Sequence, residues 1–198
     1  MPFGQEMAAP DRLETEDFLL RPITAADAER DYAAVMESRE YLRLWEQSTW
    51  PADEFTVAEN RMDLEKLERW NAERAAFTYT VLDPTETVCL GCVYIFPTNR
   101  SAFDKAEITA VDGGRLDEHE AAVYFWVRKS RLATRMDEVL LKALRKWLDS
   151  DWDLGGHVFV TNEQFAQQAQ MLETSGLRRR FVIKEEAKPG AYLAYAET

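Results

Sequence analysis

The stretch that decides the fold is Ala121-Ala-Val-Tyr-Phe-Trp-Val127, which leads directly into Arg128-Lys-Ser-Arg-Leu-Ala-Thr-Arg135. Its first part is apolar without clean alternation, which is typical of a central strand covered on both faces. Its second part is a dense run of basic residues, and apolar residues then recur at helical spacing from Met136 to Leu148. The stretch therefore predicts a strand, a basic loop and an amphipathic helix in immediate succession.

Further strands and helices are predicted on both sides of this stretch. Before it, the sequence predicts a strand over residues 13–23, two helices that end near Ser38 and Arg74, and a hairpin of residues 76–82 and 87–96. After it, the sequence predicts a strand over 157–161, a helix over 163–175 and a terminal hairpin of residues 181–183 and 191–195. Antiparallel pairs combined with one strand-helix-strand crossover predict an α+β fold.

Length and charge limit the kinds of protein that this can be. The 198 residues predict a single domain, with a loose leader over 1–11, an irregular aromatic stretch over 41–51 and a long polar loop over 98–119. The chain has 36 acidic and 24 basic residues, a net charge of -12, which excludes a nonspecific nucleic-acid partner. Because no secretory signal or membrane-spanning pattern is visible, we expect a cytoplasmic protein with no membrane partner.

The two cysteines, Cys89 and Cys92, have the spacing of a redox pair or half of a zinc site. They lie in a predicted buried strand, where residues three apart point to opposite faces of the sheet. Thiols on opposite faces cannot share a metal ion, and the two histidines, His119 and His157, stand apart in the sequence. We therefore predict structural cysteines and no metal site.

Four segments, which together span nearly the whole chain, carry a family resemblance. They are Leu13-Glu-Thr-Glu-Asp-Phe-Leu-Leu-Arg-Pro-Ile23 with Ala25-Ala-Asp-Ala28, Val88-Cys-Leu-Gly-Cys-Val93, Val123-Tyr-Phe-Trp-Val-Arg128 and Met171-Leu-Glu-Thr-Ser-Gly-Leu177. They resemble the GNAT superfamily of N-acetyltransferases, and within it the branch that acetylates the α-amino group of ribosomal proteins. The resemblance implies the GNAT fold, a mixed central sheet flanked by helices. It also implies direct transfer of an acetyl group from acetyl-CoA to a primary amine of a peptide or small molecule, with a homodimer as a candidate assembly.

The resemblance implies that coenzyme A binds to the end of the central strand and to the basic loop. The implied cofactor residues are Trp126, Val127, Arg128, Arg131, Leu132, Ala133, Thr134, Arg135 and Met136, with Asn162 nearby. In the family, the loop places small residues where this chain, anchored on Arg131, has Thr134 and Met136. Thr134 and Asp137 also form a helix-capping pattern, which would occupy donors that phosphate needs. The basic run is thus compatible with an anion site or with a solvated basic face.

Catalytic candidates follow from the same resemblance. Glu120, just before the central strand, is the candidate general base, and its alternative is a solvent-facing residue in an acidic loop. Tyr124 is a candidate proton donor to the leaving thiolate or a core aromatic residue. Trp45 and Trp50 are candidates for the acceptor pocket or for core packing. A protein of GNAT fold that has lost coenzyme A and binds another ligand is the rival interpretation.

Overall fold

The computed structural model describes Phe3, residues 9–99, Phe103 and residues 105–197. Within these residues the fold is α+β, with nine strands in a mixed sheet flanked by helices, which confirms the prediction. The described residues form two compact units. The first contains Met1–Arg39, Pro51–Ile95 and Phe125–Asp153, and the second contains Glu40–Trp50, Phe96–Tyr124 and Leu154–Thr198. The prediction of a single domain stays a prediction.

The first unit holds four neighbouring antiparallel strands and most of the helices. Its elements are β1 (Leu13–Glu14), β2 (Leu19–Pro22), α1 (Ala28–Glu46, whose end belongs to the second unit), α2 (Val57–Ala72), β3 (Phe77–Leu82), β4 (Cys89–Pro97, to Ile95), α3 (Lys129–Leu132) and α4 (Met136–Ser150). The predicted hairpin of β3 and β4 and the predicted helix α4 are both present. Helix α4 packs through Trp147, whose ring meets Tyr79 edge-on at 5.0 Å.

The second unit holds the other strands and the last helix. Its elements are β5 (Glu107–Ala110), β6 (Ala121–Val127, whose end belongs to the first unit), β7 (His157–Asn162), α5 (Ala166–Thr174), β8 (Arg178–Lys184) and β9 (Tyr192–Ala196). Strands β6 and β7 are parallel, as the predicted crossover requires, whereas the pairs β7–β9, β8–β9 and β5–β8 are antiparallel. The terminal hairpin is thus confirmed.

Three predicted segments differ from the structure. The predicted strand over 13–23 forms two short strands, β1 and β2, which pair antiparallel because the chain turns between Thr15 and Phe18. Helix α1 continues to Glu46 instead of ending near Ser38, because Tyr41 stacks on Phe165 at 5.5 Å and Trp45 is buried. The predicted polar loop over 98–119 contains strand β5, although residues 100–102 and 104 lie outside the described residues.

Much of the predicted leader, residues 1–2 and 4–8, also lies outside the described part. The described Phe3 packs its ring 5.6 Å from that of Phe77. Among the described helices, none combines the length and apolar character needed to cross a membrane.

Candidate functional site

Strand β4 contains a bulge beside the residues that end β6. The pairing with β3 leaves Leu90 as an extra residue between Cys89 and Gly91. The N–H of Arg128 donates to the Leu90 carbonyl at 2.6 Å. A Cβ on Gly91 would lie 2.2 Å from the Trp126 carbonyl oxygen, so the two backbones approach too closely for any side chain. The bulge therefore holds β4 against the start of the basic loop.

The bulge also reverses the predicted arrangement of the cysteines. Cys89 pairs with Leu82 and Cys92 pairs with Thr80 on β3. Because Thr80 and Leu82 are two residues apart on one strand, both cysteines face the same side of the sheet, and the prediction of opposite faces was wrong. Both thiols are free, and burial, with the Asp31 carboxylate next in importance, raises the pKa of each. Across the described ranges, no group of three or more His, Cys, Asp or Glu side chains could hold a metal ion.

The loop after β6 turns into helix α4 through a left-handed residue. This residue is Arg135, with φ 56° and ψ 34°. Because the left-handed region favours glycine, Arg135 is the loop position where a glycine would be least strained. The Thr134 hydroxyl donates to the Arg131 carbonyl at 2.9 Å, and the N-cap of α4 is Arg135, which makes no side-chain cap hydrogen bond, so the predicted cap at Thr134 was wrong. Met136 is buried in the core.

Acidic and polar residues of helix α1 occupy the donors at the start of the loop. Glu37 accepts from Arg128 Nε at 2.6 Å and from the N–H of Ser130 at 3.1 Å. The Ser38 hydroxyl accepts from the N–H of Lys129 at 2.9 Å. Burial opposes ionisation of Glu37, but the hydrogen bonds from Ser130 and Arg128 outweigh it and lower its pKa. At neutral pH the loop thus already holds an ionised carboxylate.

Acidic residues also occupy the start of α4. The Arg135 guanidinium donates to both carboxylate oxygens of Glu138, at 2.7 and 2.5 Å. Asp137 is buried, and burial raises the pKa of its carboxyl, while hydrogen bonds from the N–H groups of Glu138 and Asp137 itself lower it. Two of the loop's arginines, at its two ends, are therefore paired with acids of the same chain.

The second unit contains a cluster of tyrosines and carboxylates around Tyr124. The Tyr124 ring packs edge-on against Phe96 at 5.9 Å and Tyr192 at 6.2 Å. Burial raises the pKa of Tyr124, and Tyr192, Glu185 and Glu46 raise it further. Burial likewise raises the pKa of Glu185. The phenol of Tyr124 is therefore neutral, and two carboxylates act on it electrostatically.

A lysine neutralises part of this acidic cluster. The Lys188 ammonium donates to the Glu46 carbonyl at 2.6 Å and to its carboxylate at 2.9 Å. The Gln47 side-chain oxygen accepts from the N–H of Gly190 at 2.8 Å. A cavity of about 530 Å³ adjoins the loop between β8 and β9. Seven of its lining residues are charged: Lys105, Glu107, Glu163, Lys184, Glu185, Glu186 and Lys188. The cluster and the cavity make this part of the second unit a candidate binding site for a charged group.

Solved structures of similar fold are acetyltransferases. The ribosomal-protein-S5-alanine acetyltransferase from Vibrio fischeri is 16% identical with a TM-score of 0.66, covering 94% of this chain and 95% of that one. The microcin C7 self immunity acetyltransferase in complex with acetyl-CoA and AMP is 12% identical with a TM-score of 0.67, covering 96% and 97%. The ribosomal L7/L12 alpha-N-protein acetyltransferase in complex with coenzyme A is 11% identical with a TM-score of 0.64, covering 92% and 94%.

The protein has the GNAT acetyltransferase fold. No protein-family model and no curated protein matches the chain. At these identities, the structural likeness shows the GNAT fold alone.

The predicted general base, Glu120, is exposed and lies just before β6. Its carboxylate accepts from the N–H of Gly155 at 3.0 Å, in the connection between α4 and β7. The catalytic role of Glu120 stays a prediction. The carboxylates that act on Tyr124 are instead Glu46 and Glu185, which sequence reasoning missed.

Asn162 joins two helices in the second unit. Its side-chain nitrogen donates to the carbonyls of Leu44 and Trp45 at 2.9 and 2.6 Å. Its side-chain oxygen accepts from the N–H groups of Gln164 and Phe165. The amide thus bonds to the end of α1 and the start of α5, and the cofactor contact of Asn162 stays a prediction.

The other predicted residues differ in exposure. Trp126 and Val127 are buried, and the Trp126 indole donates to the Tyr94 hydroxyl at 3.3 Å. In the loop, Arg131, Ala133, Thr134 and Arg135 are exposed, and Leu132 is half-buried. Trp45 is buried in the last turn of α1, and Trp50 is half-buried in the loop that follows.

Proposed function

We propose that the protein is an N-acetyltransferase that moves an acetyl group from acetyl-CoA to a primary amine. The observation that carries the proposal is the bulged pairing at Leu90, followed by the left-handed turn at Arg135 into a helix of 15 residues. This arrangement places the N-terminus of a long helix a short distance along the chain from the end of β6, with only the short helix α3 and a turn between them. Such an N-terminus stabilises phosphate through its N–H groups and its dipole. The acetyl-CoA and coenzyme A complexes among the structural neighbours support the same cofactor.

The residues of the loop fit coenzyme A in backbone shape and in part of their charge. The backbone of Trp126 and Val127, the loop from Arg128 to Met136 and the exposed side chain of Arg131 would hold the cofactor. When bound, acetyl-CoA supplies a thioester carbonyl carbon that a neutral amine can attack. The fit requires Glu37 to give up the donors that it occupies, because phosphate and carboxylate compete for the same groups.

The cluster around Tyr124 supports a cationic acceptor. Glu46 and Glu185 are carboxylates, and the carbonyl end of the 19-residue helix α1 adds negative potential at Glu46. These groups would attract an ammonium group, and the Glu185 carboxylate would accept its proton before the neutral amine attacks. A protein N-terminus and a small-molecule amine both have this chemistry, and the ribosomal-protein acetyltransferases among the neighbours favour the former.

A non-catalytic binding protein is the second candidate function. The observation that favours it is the occupation of the loop by Glu37 and of the start of α4 by Asp137. In that case the phosphate site would be permanently closed, and the cavity beside Glu185 and Lys188 in the second unit would take the ligand.

The test combines binding and turnover. Calorimetry with acetyl-CoA should show saturable binding, and a free-thiol assay should show release of coenzyme A with peptides that carry a free α-amino group or with diamines. In the same assay, Glu185→Gln should lower turnover with little change in acetyl-CoA binding, and Glu120→Gln serves as the matched comparison. Loss of turnover only in Glu120→Gln would assign the role of general base to Glu120 instead of Glu185. Absence of acetyl-CoA binding at millimolar concentration would favour the second candidate.

A further inference from the structure

We propose that Glu37 is an internal competitor of the cofactor's phosphates and therefore determines how tightly the loop binds coenzyme A. The inference rests on the proposed function, because it assigns the loop to an anionic cofactor. Its basis is the position of the Glu37 carboxylate, which bridges the Arg128 guanidinium and the N–H of Ser130. A guanidinium and a backbone N–H are the donor types that proteins use to hold phosphate oxygens.

The carboxylate is held in place by its helix. Ser38, the next residue of α1, is fully buried, and its hydroxyl accepts from the N–H of Lys129. Because Ser38 anchors α1 to the loop, the Glu37 side chain is held next to its hydrogen-bond donors and loses little conformational entropy on binding them. The side chains of Glu37 and Arg128 are 33% and 20% exposed, so the pair is only partly screened by water. A ligand that binds this donor pair must replace an ion pair that is already formed.

The charge of Glu37 makes the competition effective. Its pKa is lowered, so the carboxylate is ionised at neutral pH and repels an incoming phosphate. At the other end of the loop, Glu138 pairs with Arg135 in the same way, although this pair is largely exposed and contributes less. Glu37 is therefore the acid whose removal should change phosphate binding most.

The experiment compares a ligand that has both the pantetheine arm and phosphates with one that has only phosphates and one that has only the arm. Calorimetry would measure binding of coenzyme A, inorganic pyrophosphate and pantetheine to the wild type and to Glu37→Gln. The neutral amide keeps the length of the side chain but loses the charge. We expect coenzyme A and pyrophosphate to bind about tenfold more tightly to Glu37→Gln, since a hydrogen bond to a charged group contributes about that factor. Pantetheine, which lacks phosphate, should bind equally to both.

Two further variants make the result specific. Glu65→Gln removes the same charge from the exposed face of α2 and should change coenzyme A binding by less than about twofold. Glu37→Asp keeps the charge but shortens its reach, so it should improve binding less than Glu37→Gln. Glu37→Asp also provides a second measurement if Glu37→Gln fails to fold.

The outcomes separate this inference from the proposed function. Equal or weaker binding of both phosphate ligands to Glu37→Gln, or equal gains for pantetheine, would overturn the role of Glu37. If coenzyme A binds neither protein but pyrophosphate tightens in Glu37→Gln, the competition stands and the acetyl-CoA-dependent function falls. If no phosphate ligand binds any variant, both are refuted.

Discussion

Asp31 is a buried carboxylate that should make the stability of the protein fall as the pH rises. The side chain is 4% exposed and lies between α2 and β4, where Asn60 donates to it at 2.9 Å and the Cys89 thiol lies 3.8 Å away. Burial is the main cause that raises its pKa from 3.8 to about 6, and the nearby charges of Asp27 and Asp63 add to it. Hydrogen bonds from Asn60 and Cys89 oppose the shift without cancelling it.

The sign and size of the effect follow from proton linkage. Since the folded pKa of Asp31 is raised, the folded state binds this proton more tightly than the unfolded chain does. The stability that Asp31 contributes is therefore fully present below pH 3.8 and is lost as the pH rises through about 6. The full loss is about 3 kcal/mol, because each unit of pKa difference corresponds to ~1.4 kcal/mol. About half of this loss falls between roughly pH 5 and pH 8. The other half falls below about pH 5, where Asp31 ionises in the unfolded chain but is still protonated in the folded protein.

Asp31→Asn isolates this contribution. Asparagine keeps the shape and the acceptor for Asn60 but does not titrate, so the variant should gain about 1.5 kcal/mol relative to the wild type from roughly pH 5 to pH 8. The assay is urea unfolding at a series of pH values, followed by circular dichroism. Asp83→Asn is the control, because the pKa of Asp83 is lowered and Asp83 is not among the charges that raise the pKa of Asp31, so its contribution should stay flat over that range. A difference between Asp31→Asn and wild type that does not change with pH would refute the reasoning.

Two further predictions concern the backbone of the candidate cofactor site. Gly91→Ala places a Cβ 2.2 Å from the Trp126 carbonyl oxygen and should cost roughly 2–4 kcal/mol in urea unfolding, whereas Gly113→Ala, with φ 87° and open space, should cost only about 1–2 kcal/mol. Similar losses of stability for Gly91→Ala and Gly113→Ala would contradict the close backbone approach of Gly91 to Trp126, because strands that move apart easily would admit the new Cβ. Arg135→Gly relieves a left-handed residue and should change stability by less than about 1 kcal/mol, while Met136→Gly empties a buried position and should cost about 2–5 kcal/mol. Comparable costs would contradict the assignment of the glycine-like position to Arg135.

Local sequence patterns were sufficient to predict most elements of the fold. The β3–β4 hairpin, the β6–α4–β7 crossover and the terminal hairpin all follow from periodicity and turn residues close to each other in the chain. The errors arose where distant contacts decide the outcome. Helix α1 passes its predicted end because Tyr41 packs on Phe165, and β5 forms because β8 offers it a partner.

A single inserted residue explains the error over the cysteines. Side chains on a strand alternate with a period of two, so the extra Leu90 reverses the faces of all residues beyond it. No pattern within Cys89-Leu-Gly-Cys92 reveals this, because the bulge is defined by the pairing with β3. The glycine at position 91 was the only local signal.

The candidate site was predictable in composition but not in its contacts. The basic run was sufficient to locate the loop. Which loop residue occupies a glycine-like position depends on the left-handed conformation of Arg135, which no side-chain pattern encodes. Glu37 lies 91 residues from Arg128 in the chain, so only the folded structure brings the acid to the loop. Glu46, Glu185 and Tyr192, which raise the pKa of Tyr124, likewise come from the end of α1, the loop after β8 and β9.

These contacts change the meaning of the basic loop in an acidic chain. Arg128 and Arg135 are paired with Glu37 and Glu138, so much of the loop's positive charge is already neutralised. Binding of a phosphate would exchange one charge-assisted hydrogen bond for another, which changes the free energy far less than creating a site from unpaired groups. Under the proposed function, the loop's affinity for coenzyme A is set by the difference between two anions on the same donors. A difference of about 1.4 kcal/mol, one factor of ten, would then separate weak from effective binding of coenzyme A.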